Sequence, residues 1–117
     1  DVPVGAYSEE ILTNLGILDQ LEADKKITYG SNVKEVTTQI SEGSVDAGII
    51  YATDAYSAGL TVVDQADSDL CKQVIYPAAV LKTAEHPDEA KAFLDYLTTD
   101  ACAEEFEGVG FTMVEAE

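Results

Sequence analysis

Tyr51 ends the run Ala47-Gly48-Ile49-Ile50-Tyr51, after which the chain turns polar at Thr53 and Asp54. An apolar strand of this kind delivers a phenol hydroxyl to its own carboxyl end, and the carboxyl ends of strands in open α/β sheets are where ligands bind. Two helix starts, VPVGAY and SNVKEV, are the other candidates. The first turn of a helix carries backbone N–H groups without intrahelical acceptors and a partial positive charge, so it holds an anion without any basic side chain. The chemistry these features offer is recognition of an anion by neutral donors. Each also has an ordinary structural use: every helix start is capped somehow, and a strand-end tyrosine packs at a sheet edge.

Catalysis has little to build on. There is no GxSxG and no Walker glycine loop. The single histidine, His86, precedes Pro87 at a helix start, where it reads as an exposed surface residue. The acid pairs Glu9-Glu10 and Glu104-Glu105 fall on helix surfaces, so solvated faces account for them better than general acid–base work. Cys71 and Cys102 form no CxxC, and one histidine cannot furnish a His-based metal site. They are either two free thiols or, in an oxidising compartment, a disulfide. The sequence points away from an enzyme and calls for no cofactor.

Composition sharpens the exclusions. Twenty-three acids face 6 lysines and no arginine, giving a net charge of −17. Nucleic-acid binding rests on Lys and Arg neutralising phosphates, so it is disfavoured, as is docking on an anionic membrane surface. The acidic surface itself keeps the protein soluble. With 117 residues and 46% apolar content, the chain is long enough for one core and too apolar for disorder. No stretch approaches the roughly 20 apolar residues of a membrane span. No signal peptide is recognised, which leaves the compartment open.

The elements that must position these groups alternate in type. Ala6–Leu15 reads as a helix from Ile11, Leu12 and Leu15, with Glu9 and Glu10 in its first turn and Gly16 as its stop; Leu18 and Leu21 then anchor a loop. Lys26–Tyr29 is a short strand. A second helix over Val33–Ser41 follows, with Asn32 as cap, Glu35 completing a capping-box pattern, Val33, Val36 and Ile40 on one face, and Gly43 as stop. Asp46–Tyr51 lacks alternation, so both its faces are covered, as in a parallel sheet. Leu60–Val63 is a further strand. Val74–Lys82 is interrupted by Pro77, which places it at an edge or at a crossing between lobes. A third helix opens at Pro87 and carries the stripe Ala90, Phe93, Leu94 and Leu97; a fourth is capped by Asp100 and stopped by Gly108. Strands alternating with helices argue α/β with a mostly parallel sheet and flanking helices.

VPVGAYSEEILTNLG, SNVKEVTTQISEGSVDAGIIYATDA, VIYPAAVLK and AFLDYL followed by AEEFEGVGFT occur in this order. Together they closely resemble the second half of the molybdate-binding protein of molybdate ABC transporters, a type II periplasmic-binding fold. GIIYATDA and the Tyr76-Pro77 pair are the most specific parts. The resemblance implies that residues 1–73 form the second, ligand-binding lobe, incomplete at its N-terminus. It makes residues 74–117 the crossover (hinge) strand and the C-terminal helices that pack on the first lobe. It implies that Val4 and Val33 present backbone N–H groups, and Tyr51 its hydroxyl, to molybdate or tungstate, with no metal beyond that bound oxyanion. The family's first lobe supplies serine hydroxyls and precedes the stretch matched here. The implied protein is an extracytoplasmic solute-binding component, at the periplasmic or extracellular face of the membrane or lipid-anchored there in the full-length form. Its implied partners are the membrane subunits of an ABC permease. The rival reading is an α/β regulatory domain that senses a small anion inside the cell. The apolar stripe at Ala90–Leu97, with Phe106 and Phe111, expects a surface to cover, so the isolated chain is expected to self-associate.

Overall fold

Helices dominate, and most of them end in the same way. The structure, a computed structural model, describes residues 2–114 and falls into two compact units, Asp1–Gln73 and Val74–Glu117. The first unit holds α1 (Pro3–Asn14), α2 (Leu18–Ala23), α3 (Val33–Ser41) and α4 (Ala52–Ser57); the second holds α5 (Pro87–Tyr96) and α6 (Asp100–Gly108).

α1 begins three residues earlier than the apolar stripe suggests, because Pro3 sits at its first position, where the missing N–H costs nothing. At its end, the Gly16 N–H bonds the Thr13 carbonyl (2.9 Å) and the Ile17 N–H bonds the Leu12 carbonyl (3.0 Å), with Gly16 at φ 72°. This paired closure satisfies carbonyls that the helix leaves orphaned. The same two-bond pattern closes α2, α3, α4 and α6. At α2 the left-handed position falls to Lys25, at φ 54°, the one described non-glycine residue with positive φ. The expected loop at Leu18–Leu21 is thus a short helix, and α4 also goes unforeseen, each being only 6 residues long.

α3 matches its expected span. Asn32 Oδ1 accepts the Glu35 N–H at 2.9 Å. The carboxylate of Glu35 reaches one residue further back than a standard capping box, accepting from the Ser31 N–H (2.7 Å) and Ser31 hydroxyl (2.6 Å). α6 spans Asp100–Gly108 as expected, but its capping residues differ. Thr99 is its N-cap residue, with Asp100 at the first helical position, and Gly110, not Gly108, takes the left-handed turn beyond the last residue. His86 is exposed at the N-cap of α5.

The mostly parallel sheet expected from the sequence is not seen among the described residues. Lys26–Tyr29, Asp46–Tyr51, Leu60–Val63 and Val74–Lys82 have no ladder. A strand exists only through inter-strand hydrogen bonds to a neighbour about 4.8 Å away. Gly30 and Gly48, before and after α3 in the sequence, both lie so close to it that an added Cβ would meet Val36, and at Gly48 also Ile40. The order segment–helix–segment expected of a parallel unit is kept here, without backbone pairing.

The first unit is further closed by α1 packing on α2, by α3 packing on α4, and by Asn14, whose side-chain amide donates to the Leu70 carbonyl at 2.7 Å. Its buried side chains are Val4 and Ala55. In the second unit, Val80, Leu81 and Ala84 face Ala90, Phe93 and Leu94 across a groove of about 330 Å³. Phe111 meets Tyr76 and Phe106 edge-on, at centroid separations of 5.5 and 5.8 Å. Much apolar surface stays open: Val63 is 87% exposed, Leu81 73% and Phe93 63%. Cys71 and Cys102 are free thiols.

Candidate functional site

The three residues singled out as anion donors all stand at helix starts. Val4 is the second residue of α1, and Val33 is the first of α3. Tyr51 is the N-cap residue of α4, in extended conformation at φ −71°, ψ 149°. Sequence reasoning missed this helix, so it placed Tyr51 at a strand end. The signal was present: the polar Thr53 and Asp54 directly after Tyr51 occupy the first turn of α4, where an acid suits the helix dipole.

Backbone hydrogen bonding shows which amides are taken at each helix start among the described residues. In α1, Pro3 has no N–H, and the Gly5 N–H is spent on the Val2 carbonyl at 3.0 Å. Between them the Val4 N–H, at the second helical position, has no intrahelical acceptor. In α3, the third amide, that of Glu35, is taken by the Asn32 side chain, and the fourth, that of Val36, bonds the Asn32 carbonyl at 3.3 Å. The amides of Val33 and Lys34 precede these and have no intrahelical acceptor. In α4 the Tyr51 carbonyl accepts from Asp54 and Ala55, both at 3.1 Å.

Burial differs among the three. Val4 is buried, while Val33 and Tyr51 are partly buried. Packing of α3 on α4 brings together the two helices that begin at Val33 and after Tyr51; Val4 belongs to the α1–α2 pair of the same unit. Two charged side chains stand near the α3 start. Lys34 follows Val33, and Glu35 is held by Ser31, whose hydroxyl and backbone N–H donate to the carboxylate and lower its pKa from the usual glutamate value. The Tyr29 hydroxyl donates to Glu22 at 3.0 Å, which raises its pKa. Among the described residues, no group of three or more His, Cys, Asp or Glu could hold a metal ion. Nor is any helix long and apolar enough to cross a membrane. What the helix starts can do chemically is donate neutral hydrogen bonds to an anion; they offer no nucleophile and no proton relay.

The family described as bacterial extracellular solute-binding protein matches residues 1–112. The chain belongs to this family. Solute-binding proteins of this kind carry the type II periplasmic-binding fold, although the sheet of that fold is not seen among the described residues here. One similar protein is YvgL of Bacillus subtilis (strain 168), named as an ABC transporter substrate-binding lipoprotein. It is 41% identical over 112 residues, covering 95% of this chain and 42% of YvgL. The molybdate-binding protein ModA of Escherichia coli (strain K12) is 35% identical over 113 residues, 96% of this chain and 43% of that protein. ModA of Haemophilus influenzae is 32% identical over 112 residues, 95% of this chain and 43% of that protein. The chain thus spans less than half the length of these relatives. No solved structure matches it to significance. These relatives are solute-binding proteins of transporters and not enzymes, and the solute-binding family is extracytoplasmic.

Proposed function

We propose that the protein is the solute-binding component of an ABC importer for a tetrahedral oxyanion, molybdate or tungstate, and that this chain is its C-terminal half. One observation carries the reading: the helix starts leave the Val4 and Val33 amides without intrahelical acceptors. Two relatives named as molybdate-binding proteins support the choice of anion. The Tyr51 hydroxyl is the third donor on this half. The rest of the protein completes the coordination, and the loaded form hands its anion to the membrane subunits of a permease.

Neutral donors suit this task. A dianion held by N–H and O–H groups keeps its charge, gains short charge-assisted hydrogen bonds, and needs no buried cation whose own desolvation must be offset. The net charge of −17 does not forbid it. The Debye length is about 8 Å at physiological salt, so carboxylates beyond the immediate site are largely screened. An extracytoplasmic family also weighs against a regulatory domain that senses anions inside the cell.

The test is calorimetric titration of the intact gene product that carries this sequence with molybdate, tungstate, sulfate and phosphate. Molybdate and tungstate should bind and the two smaller anions should not. Absence of heat with either large oxyanion, in protein shown to be folded, overturns the reading.

A further inference from the structure

Two glycines in this chain call for an explanation that backbone conformation does not supply. Gly16, Gly43, Gly59 and Gly110 have positive φ and close helices, whereas Gly30 and Gly48 do not have positive φ. What sets these two apart is space. A Cβ on Gly30 would stand 2.6 Å from Val36 Cγ2, and one on Gly48 would stand 2.6 Å from Ile40 Cδ1, 2.9 Å from Ile40 Cγ1 and 3.2 Å from Val36 Cγ1. Carbon atoms in contact sit about 3.5–4.0 Å apart, so a side chain at either position would force a neighbouring group on α3 to move. Gly5 and Gly108, by contrast, have nothing near them.

The register is suggestive of purpose. Gly30 precedes Val33 by three residues, and Gly48 precedes Tyr51 by three. Both press on Val36, whose own N–H bonds the Asn32 carbonyl in the first turn of α3. The side chain of Val36 therefore touches the segment leading to each donor.

Resting on the oxyanion site argued above, we propose that Gly30 and Gly48 are positioning residues. Through Val36 they set the separation between the Val33 amide and the Tyr51 hydroxyl, and so the size of anion that both donors can reach at once. The two positions differ in stiffness. Val36 is β-branched, with a single strongly preferred rotamer in a helix, so a methyl group at position 30 moves the helix. At position 48 the first obstacle is the end of the Ile40 side chain, which can swing aside. Gly30→Ala is thus the severe variant and Gly48→Ala the mild one.

The experiment uses the intact gene product with two readouts. Amide chemical shifts of Val33, Lys34 and residues 51–53, recorded without any anion, report the spacing itself. Calorimetric titration with molybdate reports its consequence. Gly30→Ala should move the Val33 amide and weaken molybdate binding by about tenfold or more, the effect of losing one hydrogen bond to a charged acceptor. Adding Val36→Ala to Gly30→Ala removes the obstructing methyl groups and should bring both readouts back toward wild type. A merely structural role would lower the melting temperature without such paired recovery. Gly48→Ala should move both readouts in the same direction by less, which keeps the idea testable if Gly30→Ala does not fold. The proposal is overturned if a folded Gly30→Ala or Gly48→Ala protein keeps wild-type shifts and affinity, or if Val36→Ala fails to restore binding to Gly30→Ala. Should the wild-type protein itself not bind molybdate, the functional reading falls, and the anion-free shifts alone decide whether the glycines fix the spacing.

Discussion

Substituting Val33 by proline and, separately, by alanine isolates one backbone N–H. Val33 is the first residue of α3, the helical position that proline tolerates best. Proline also asks the preceding residue to be extended, and Asn32 already is, at φ −160°, ψ 167°. The cap should survive, because Asn32 Oδ1 bonds the Glu35 N–H and not that of Val33. Val33→Pro therefore deletes one donor and leaves the helix standing. A hydrogen bond to a charged group is worth about 1.5–3 kcal/mol, so oxyanion affinity should fall about 10- to 150-fold. Val33→Ala keeps the N–H and loses two methyl groups from a partly buried side chain, less than about 1.6 kcal/mol of stability at roughly 0.8 kcal/mol per group. Its affinity should stay near wild type. Calorimetry for binding, with urea unfolding to measure stability, separates the two effects. Equal loss of affinity in the two variants, or none in Val33→Pro, would refute the assignment of this amide to the anion.

Tyr51→Phe should weaken molybdate binding by about 1–3 kcal/mol, read by the same titration; unchanged affinity removes its hydroxyl from the site. Lys25→Gly should stabilise the chain by about 1 kcal/mol in urea unfolding, because Lys25 is held at φ 54° and glycine adopts that conformation without strain. Asn32→Ala should cost about 1 kcal/mol through loss of the α3 cap. Glu35 has a folded pKa below its unfolded one, so the unfolded chain binds its proton first as acid is added. Its contribution is present above the ordinary glutamate range and lost as pH falls through the folded value, and Glu35→Gln should flatten that part of the stability–pH curve. Light scattering of the isolated 117-residue chain at micromolar concentration should show self-association, given exposed Leu81, Phe93 and Tyr76; a strict monomer would contradict it.

Local rules were legible and pairing was not. The span of α3, its Asn32 cap, the Gly16 and Gly43 stops and Pro87 at the start of α5 follow from interactions within a few residues, which is the range over which sequence pattern acts. The helices α2 and α4 were missed because six residues give too few turns for a periodic stripe. The four expected strands share an apolar, β-branched composition that suits a pleated surface, but a strand is completed by a neighbour, and composition does not name one. For the site, Tyr51 drew notice by its place after an apolar run. Val4 and Val33 could not be singled out by side chain, since an amide donor looks the same under any residue but proline; the resemblance to molybdate-binding proteins pointed to them. The reservation of the Val4 amide by Pro3 on one side and the Gly5–Val2 bond on the other became visible only in the hydrogen-bond pattern.

The Asn14–Leu70 hydrogen bond joins residues 56 apart in the sequence, near opposite ends of the first unit. A chain made from its N-terminus exposes α1 long before Leu70 exists. Until that carbonyl has left the ribosome, the helix that bears Val4 can close its own end locally through Gly16 but has no anchor at Asn14. Vectorial synthesis therefore closes this unit late: its first helix gains the Asn14 anchor only when one of the unit's last residues has emerged.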